Sequence, residues 1–348
     1  MAFVTLRDVA REAGVSTAAV SQILHGKGRF SDETRELVRK TVREMGYVPD
    51  QRARSMRSSG AKTVGLLVPD LRNQYFADLV SSMEDELYRN GVSTLIGTSS
   101  ENVERQDAFI ENLLGQRIDG AIVVPQGVES PGVQSLIARD LPLVFVDRRV
   151  QGVESVPFVV SDPYPGIRAA MEDLVAKGHR RIGYVAHPSL GSYSVNERET
   201  AFRVVSRELL GVAACAACDA SGGDALAVTV ACDASYDSCR DACAALRAHG
   251  VTAVLCGYSP DAITLIGLLN EQGVAIGADM SVVSFDDIAP FRLMTPNVAV
   301  ISQQADRMGR WGVDLLLGSM RSGLRGDGNT HRVPTVYIPR RSVAAVAR

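Results

Sequence analysis

The sequence lacks the features of a secreted, membrane-spanning or catalytic protein. No apolar run approaches the ~18 residues that a spanning helix needs, and Asp8 and Glu12 stand where a secretion signal would be apolar. The motifs G-x-G-x-x-G, G-x-x-x-x-G-K-[ST], G-x-S-x-G and H-E-x-x-H are absent, and the five histidines are scattered. We therefore expect a cytoplasmic protein with no membrane partner and no cofactor, and an enzyme is the weakest hypothesis.

What the chain does have is length, apolar content and an uneven distribution of charge. Its 348 residues are 46% hydrophobic and 22% charged, which allows two or three domains with buried cores. The net charge is −3, yet residues 1–60 hold eleven Lys and Arg against seven Asp and Glu, so this end carries +4 and the rest −7. A basic end can bind a nucleic-acid backbone while the acidic body performs another task.

The amino-terminal residues show the pattern of a helix-turn-helix. Thr5 can cap a first helix that ends at Gly14, and Ser16 can cap a second. Ser31 then starts a third amphipathic helix, which ends at Gly46. In a helix-turn-helix the second helix enters the major groove of DNA. The alternative is a small helical bundle used for protein contacts.

From Thr63 onward, apolar strands alternate with amphipathic helices, which is typical of parallel sheets covered by helices. The pattern runs through two similar halves and includes a weaker strand near 226–230. A last helix at 303–318 and a strand at 333–338 can return the chain to each half. The other predicted strands are 63–68, 93–98, 120–124, 143–146, 158–160, 181–186, 252–256 and 281–285.

These segments resemble the lactose/galactose repressor (LacI/GalR) family of bacterial regulators. The head carries VSxxxVSxxL, SxETR and GYxP, and the body carries VGLLVPDLRNQYFADL, RIDGAIVVP, FVDRR, GHRRIGYV and SVVSFDD. The resemblance implies an all-α helix-turn-helix head, a hinge helix or linker, and an α/β body of two lobes with parallel sheets, like a periplasmic binding protein. The implied bounds are 1–50, 51–62 and 63–348, with an N-lobe of about 63–161 and 292–322 and a C-lobe of about 162–291 and 323–348.

In that family the second head helix reads base edges, so the resemblance implies that Thr17, Ala18 and Gln22 contact bases. Gln can bond adenine through two hydrogen bonds, and Thr and Ala can contact a thymine methyl. Residues near helix starts and in the basic linker would contact phosphates. These are Thr5, Ser16, Ser21, Arg54 and Arg57. For the hydroxyl side chains, helix capping alone is an equal alternative.

The linker resembles the hinge helix of the family, which inserts one apolar side chain per subunit into the minor groove. The segment ARSMR puts Met56 at that position. Met is apolar and unbranched, so it can act as a wedge between bases. The alternative is that Met56 belongs to an inert tether. Against this alternative, Met56 is the one large apolar side chain between Val48 and Val64.

The resemblance places the effector between the lobes, where parallel strands end. The matching positions carry polar groups that suit adjacent hydroxyls, beside an aromatic ring. They are Asp70, Asn73, Phe76, Arg148, Ser194, Arg198 and Asp286. A surface, capping or core role is an equal alternative for each one taken alone. The family often has Asn-Asp where this chain has Gly257-Tyr258-Ser259-Pro260, so Tyr258 is expected to add stacking in place of an acidic contact.

Five of the six cysteines lie between positions 215 and 243. In a chain without a secretory signal, such a cluster favours thiols or a metal site over a disulfide framework. The spacing is loosely similar to that of zinc ligands. Small buried residues in an Ala-rich helix and strand are the preferred interpretation, and no metal site is predicted.

Together these features predict a sequence-specific transcriptional regulator, expected to be a repressor, that binds a palindromic operator as a homodimer. The expected partners are double-stranded operator DNA and a small allosteric effector, with a saccharide preferred and a purine as the alternative. We expect the protein on the nucleoid in the cytoplasm. A small-molecule binding protein without a regulatory role is the alternative function. The sequence leaves open whether the effector acts as inducer or corepressor.

Overall fold

The computed structural model describes residues 4–48, 62–127, 129–188, 192–216, 223–323 and 328–346. The chain separates into two compact units, residues 1–61 and 62–348. The described part of the first unit contains the helices α1 (Leu6–Glu12), α2 (Thr17–Leu24) and α3 (Asp32–Met45). The prediction of an all-α head is therefore confirmed.

Capping side chains and one glycine turn define the helices of the head. Thr5 caps α1 in a reciprocal arrangement with Asp8, and the Oγ atom of Ser16 accepts the Ala19 N–H at 3.1 Å. Gly14 connects the two helices at φ +65°, a left-handed conformation that glycine adopts without strain. The enclosed core consists of Val9, Ala10, Ala13, Val20, Ile23 and Val38.

The first sheet of the body has six strands, all of them parallel, in the order β12-β5-β4-β3-β1-β2. The elements before the first crossover are β1 (Thr63–Val68), α4 (Gln74–Arg89), β2 (Ser93–Thr98), α5 (Val103–Gly115), β3 (Gly120–Val123), α6 (Pro131–Ala138), β4 (Leu143–Val146) and β5 (Phe158–Asp162). The strands β1, β3 and β4 are buried almost throughout, as expected for a sheet with helices on both faces.

The second sheet has seven strands in the order β13-β11-β10-β9-β6-β8-β7, and only β13 is antiparallel to its neighbour. Its elements are α7 (Pro163–Ala176), β6 (Arg181–Ala186), α8 (Tyr193–Leu210), β7 (Cys215–Ala216), β8 (Leu226–Ala231), α9 (Tyr236–Ala248), β9 (Ala253–Cys256), α10 (Ser259–Glu271), β10 (Ser281–Phe285), α11 (Ala289–Leu293), β11 (Ala299–Ser302) and β13 (Val336–Ile338). The predicted body of two α/β lobes with parallel sheets is confirmed, and β8 lies at the weak pattern near 226–230.

The lobe bounds differ from the prediction near the carboxyl end. The helix α12 (Ala305–Ser322) packs on the first lobe, as predicted, but β11 pairs with the second sheet although 292–322 was assigned to the first lobe. The predicted strand 333–338 is two strands, because β12 (Thr330–Pro334) joins the first sheet and β13 the second. Thr335 separates them, and both its N–H and its hydroxyl donate to the Asp162 carbonyl. Three chain segments therefore connect the lobes, after β5, β11 and β12.

Candidate functional site

The second helix of the head presents the predicted base-reading residues to solvent. Thr17, Ala18 and Gln22 are exposed, whereas Val20 and Ile23 on the same helix are buried in the head core. Ala18 and Gln22 are one turn apart and share a face. The described structure thus leaves this face free for contact with another molecule.

The loop after α2 restricts the side chain of Gln22, which the sequence did not reveal. Gly28 has φ +79°, and a Cβ atom there would lie 2.7 Å from Gln22 Oε1 and 2.5 Å from the Phe30 ring. The Arg35 side chain holds this loop by donating to the Gly28 carbonyl at 2.8 Å. Lys27 in the same loop is exposed and suits a phosphate contact.

The predicted phosphate contacts of the head have different surroundings. Thr5 uses its hydroxyl in the cap, because Oγ1 donates to Asp8 Oδ2 at 2.6 Å. Ser16 is exposed and accepts the Ala19 N–H, which leaves its own hydroxyl hydrogen available, and Ser21 is half-buried. The remaining predicted DNA contacts, Arg54, Met56 and Arg57, lie outside the described residues.

In the body, two aspartates end corresponding strands of the two lobes in the same unusual backbone conformation. Asp147 follows β4 with φ +63°, and Asp286 follows β10 with φ +66°. Both side chains are almost fully buried. Left-handed conformations are uncommon for residues other than glycine, and strained backbone is concentrated at functional sites. The carboxyl ends of both sheets therefore direct carboxylates into the region between the lobes.

A buried polar network surrounds Asp286. Its two oxygens accept from Gln303 Nε2 at 2.7 Å and from Ser259 Oγ at 3.1 Å. Arg198 donates to Gln303 Oε1 at 2.8 Å and to the Gly257 carbonyl at 2.7 Å, and its guanidinium lies 4.6 Å from the centre of the Phe285 ring. Burial raises the pKa of Asp286, while the Arg198 charge opposes this shift.

The first-lobe side of the cleft contains an ion pair between Arg148 and Glu101. Arg148 donates to both carboxylate oxygens of Glu101, at 2.7 and 3.1 Å, and to Gln126 Oε1 at 2.5 Å. Only 10% of the Arg148 side chain is exposed, compared with 33% for Glu101. The Glu101 backbone is left-handed at φ +58°, as is that of Ser100 before it. Glu101 is a site residue that the sequence analysis missed, because the strained loop brings it to Arg148 from 47 positions away.

Between the lobes lies a cavity of about 570 Å³, open to solvent. Of the seven predicted effector residues, Asp70, Asn73 and Arg148 line it. Arg198 and Asp286 lie in the buried network, and Ser194 is buried with its hydroxyl 3.2 Å from that of Ser192. The structure thus brings three predicted residues to the cavity itself.

Phe76 does not supply the aromatic surface of the cavity. Its ring is 2% exposed and belongs to the first-lobe core, where it packs edge-on against Tyr75. Position 76 is the third residue of an amphipathic helix, so core packing determines its orientation. Tyr258 from the second lobe lines the cavity instead, with its ring centre 4.2 Å from that of His187.

His187 and its partner Asp261 are further residues that the sequence analysis missed. His187 lines the cavity, and its Nδ1 atom is 3.1 Å from both carboxylate oxygens of the fully buried Asp261. Burial raises the pKa of Asp261, while the His187 ring lowers it. The two residues are 74 positions apart and meet only because β6 and β9 are neighbouring strands.

Two hydrogen bonds connect the lobes across the cavity. Asn73 Nδ2 donates to the Tyr258 hydroxyl at 3.2 Å, and the Ala289 N–H donates to Gln74 Oε1 at 3.0 Å. Asn73 also caps α4 through the Tyr75 N–H. Asp70 is paired with Arg72, which lowers the pKa of Asp70. Both bonds join the chain segment that follows β1 to the second lobe.

The cysteine cluster contributes to the second-lobe core. Cys232, Cys239, Cys243 and Cys256 are free and buried among apolar side chains. Cys215 is disulfide-bonded, so the expectation of thiols rather than disulfides is wrong for that residue. Within the described ranges, no group of three or more His, Cys, Asp or Glu side chains could hold a metal ion.

No helix in the described part of the chain is long and apolar enough to span a bilayer.

Comparison with known families gives two matches. The family described as bacterial regulatory proteins, lacI family, matches residues 5–50, and the periplasmic binding protein-like domain matches residues 171–343. The first match covers the helix-turn-helix. The second covers most of the second lobe together with the later segments that cross between the lobes.

Individual proteins match over nearly the full length. The HTH-type transcriptional repressor PurR of Salmonella newport is 26% identical over 341 residues, and that of Erwinia tasmaniensis is 28% identical over 348; each alignment covers 98% of this chain and 97% of the relative. The Lac repressor dimer bound to operator and the anti-inducer ONPF superposes with a TM-score of 0.79 at 24% identity, covering 99% of this chain and 100% of that chain. The complex of the regulator CelR with cellobiose has a TM-score of 0.68 at 26% identity, covering 97% and 99%.

Proposed function

We propose that the chain is a member of the lacI family of bacterial regulatory proteins, whose model matches residues 5–50, and that it represses transcription from a palindromic operator under the control of a small effector. The observation that carries this proposal is the coexistence in one chain of an exposed recognition face on α2 and a polar cleft between two lobes. A binding protein without a regulatory role would not need the basic helix-turn-helix. The relatives at full length are transcriptional regulators, and we assign no enzymatic activity.

We propose that Thr17, Ala18 and Gln22 read bases in the major groove. Their exposure on one side of α2 supports this assignment, and the amide of Gln22 can bond an adenine edge through two hydrogen bonds. Thr5, Ser16, Ser21, Arg54 and Arg57 are proposed to contact phosphates, and Met56 is proposed as the minor-groove wedge. These contacts would fix register and bend the operator.

The active form is proposed to be a homodimer, because one helix-turn-helix covers only a half-site. The solved Lac repressor relative is a dimer on its operator. In this chain β2 is an edge strand of the first sheet, and Ile96 on it is 42% exposed. Tyr88 at the end of the neighbouring helix is 76% exposed. Unpaired strand edges with exposed apolar side chains suit association with a second copy.

The effector is proposed to bind between the lobes, with Asp70, Asn73 and Arg148 at the cavity and Arg198 and Asp286 in the network behind it. A saccharide suits these groups, since carboxylate, carboxamide and guanidinium groups bond adjacent hydroxyls. The CelR relative is solved with cellobiose. A purine, which can stack on an aromatic ring, is the second candidate. Ser194 and Phe76 would act through packing, since both are buried.

The cellular site of action is proposed to be the nucleoid in the cytoplasm, where operator DNA lies. Gel-shift titration of the full chain with the promoter region of its neighbouring genes tests the proposal. We expect specific binding at least 10³-fold tighter than to a random duplex in moderate salt. Equal affinity for both duplexes would refute the regulator function, whereas ligand binding without DNA binding would favour the free-standing binding protein.

A further inference from the structure

The chemical class of the effector can be narrowed from the charges at the cavity, an inference that rests on the proposed function. The guanidinium groups at the cleft already have acidic or polar partners. Arg72 is paired with Asp70, Arg148 is paired with Glu101, and Arg198 is bonded to Gln303 and the Gly257 carbonyl. A phosphate or carboxylate on the effector would have to compete with these groups for the guanidinium donors.

The second-lobe side of the cavity adds negative rather than positive charge. Asp233 is exposed and lines the cavity, and Asp261 lies behind His187. Like charges brought together in a binding site repel each other and weaken binding. Among the described residues that line the cavity, the acidic side chains Asp70, Glu101 and Asp233 outnumber the basic side chains Arg72 and Arg148. The surrounding charges therefore disfavour an anionic effector.

His187 offers a hydrogen-bonding group of defined polarity at this side. An ionised carboxylate can only accept, so the contact with Asp261 favours the tautomer of His187 that carries its proton at Nδ1. Asp261 lies in the first turn of α10, where the helix dipole favours a negative charge. A neutral ring protonated at Nδ1 has its lone pair at Nε2. None of the described residues bonds that atom, and the His187 side chain is 20% exposed at the cavity.

We propose that the cleft binds an effector that has O–H or N–H donors and no negative charge, and that His187, with its tautomer fixed by Asp261, accepts one of those donors at Nε2. The Tyr258 ring packs against the imidazole at a tilt of 35°, with the ring centres 4.2 Å apart. His187 is thus a specificity-determining residue and Asp261 a positioning residue. Phosphorylated or acidic forms of the same compound are rejected.

The tautomer can be measured without knowing the effector. In the full chain labelled with ¹⁵N-histidine, long-range proton–nitrogen spectra at neutral pH should show His187 protonated at Nδ1 and unprotonated at Nε2. The His187→Gln variant identifies its signals by their loss. His179 is the internal control, because its Nε2 lies 3.0 Å from the Ala344 carbonyl and must donate. Asp261→Asn should abolish the preference for Nδ1–H. A wild-type His187 that is protonated at Nε2 overturns the proposal.

The rejection of anionic effectors is tested with neutral ligands and their phosphorylated or acidic counterparts. We would titrate the full chain by calorimetry with ribose and ribose 5-phosphate, glucose and glucose 6-phosphate, and galactose and galacturonic acid, together with cellobiose and hypoxanthine. Tighter binding of a phosphorylated or acidic member than of its neutral partner overturns the proposal. Binding of a neutral probe that falls at least tenfold in His187→Phe, which keeps a ring on Tyr258, supports it. Undiminished binding in His187→Phe refutes the role of Nε2.

His249→Phe is the matched control, since His249 caps α9 away from the cavity lining and should leave affinity unchanged. Operator binding is measured separately by gel shift, both without a ligand and in the presence of each probe. Failure to bind DNA would refute the proposed function alone, because the tautomer and the probe affinities are read out independently of DNA.

Discussion

Removal of the buried Arg198 charge should destabilise the body strongly. Its side chain is 4% exposed, and Asp147 and Asp286 are also nearly fully buried. In Arg198→Met these carboxylates lose a nearby positive charge, and the Gly257 carbonyl loses a donor. Leaving one member of a buried charge network unpaired costs about 3–5 kcal/mol. At about 2–4 °C per kcal/mol for a domain of this size, the melting temperature should fall by about 6–20 °C.

The pH dependence of this defect follows from Asp286. Burial raises the folded-state pKa of Asp286 above its ordinary value, so its protonation stabilises the fold, and this contribution is lost as pH rises through the folded-state pKa. Removal of Arg198 raises that pKa further. The difference in melting temperature between wild type and Arg198→Met should therefore shrink as the pH is lowered from about 7.5 to about 5.

Differential scanning calorimetry of the full chain measures both effects. Arg310→Met is the control, because Arg310 forms an exposed pair with Asp306 at 3.0 Å and should cost at most about 1 kcal/mol. Asp286→Asn added to Arg198→Met should recover part of the loss, since it removes the unpaired charge. A shift below 1 °C in Arg198→Met, or strictly additive effects in the double variant, would contradict the argument about charge.

Three further predictions concern the head, the linker and the cleft. Gln22→Ala should change the preference at one operator base pair by about 1–3 kcal/mol, whereas Arg54→Ala should weaken binding to all sequences and reduce the salt slope, as measured by gel shift with operator variants. Equal losses on every operator variant would remove Gln22 from base reading. Met56→Gly should abolish operator bending in a circular-permutation assay, and unchanged bending would make Met56 a tether. Tyr258→Phe removes the hydrogen bond from Asn73 and should weaken effector affinity about fivefold by calorimetry, corresponding to about 1 kcal/mol; unaltered affinity would show that this bond does not stabilise the closed cleft.

The local sequence determined the elements of both units. Capping residues and glycines at defined spacings gave the three head helices, because a helix end depends on hydrogen bonds within a few residues. Alternation of apolar strands and amphipathic helices gave the α/β body for the same local reason. The exposure of Thr17, Ala18 and Gln22 followed from helical periodicity alone.

Local sequence patterns could not predict where the chain crosses between the lobes. A short strand such as β11 or β12 looks the same whichever sheet it joins, and only pairing with β10 or β5 decides this. Thr335 marks the change of sheet through bonds to Asp162, 173 positions earlier. Sequence patterns carry no information on partners at such a separation.

In the cleft, too, some residues could be predicted from the local sequence and others only from the tertiary structure. Residues directly after strands could be predicted, because parallel strands end at one edge of a sheet, and Asp70 and Arg148 do reach the cavity. Which aromatic ring faces that cavity depended on packing, which buried Phe76 and left Tyr258 at the surface of the cleft. The pairs Glu101–Arg148 and His187–Asp261 join residues from different strands and loops. Their partners are fixed only when the two sheets fold, because distance in space, rather than spacing along the chain, determines which charges meet.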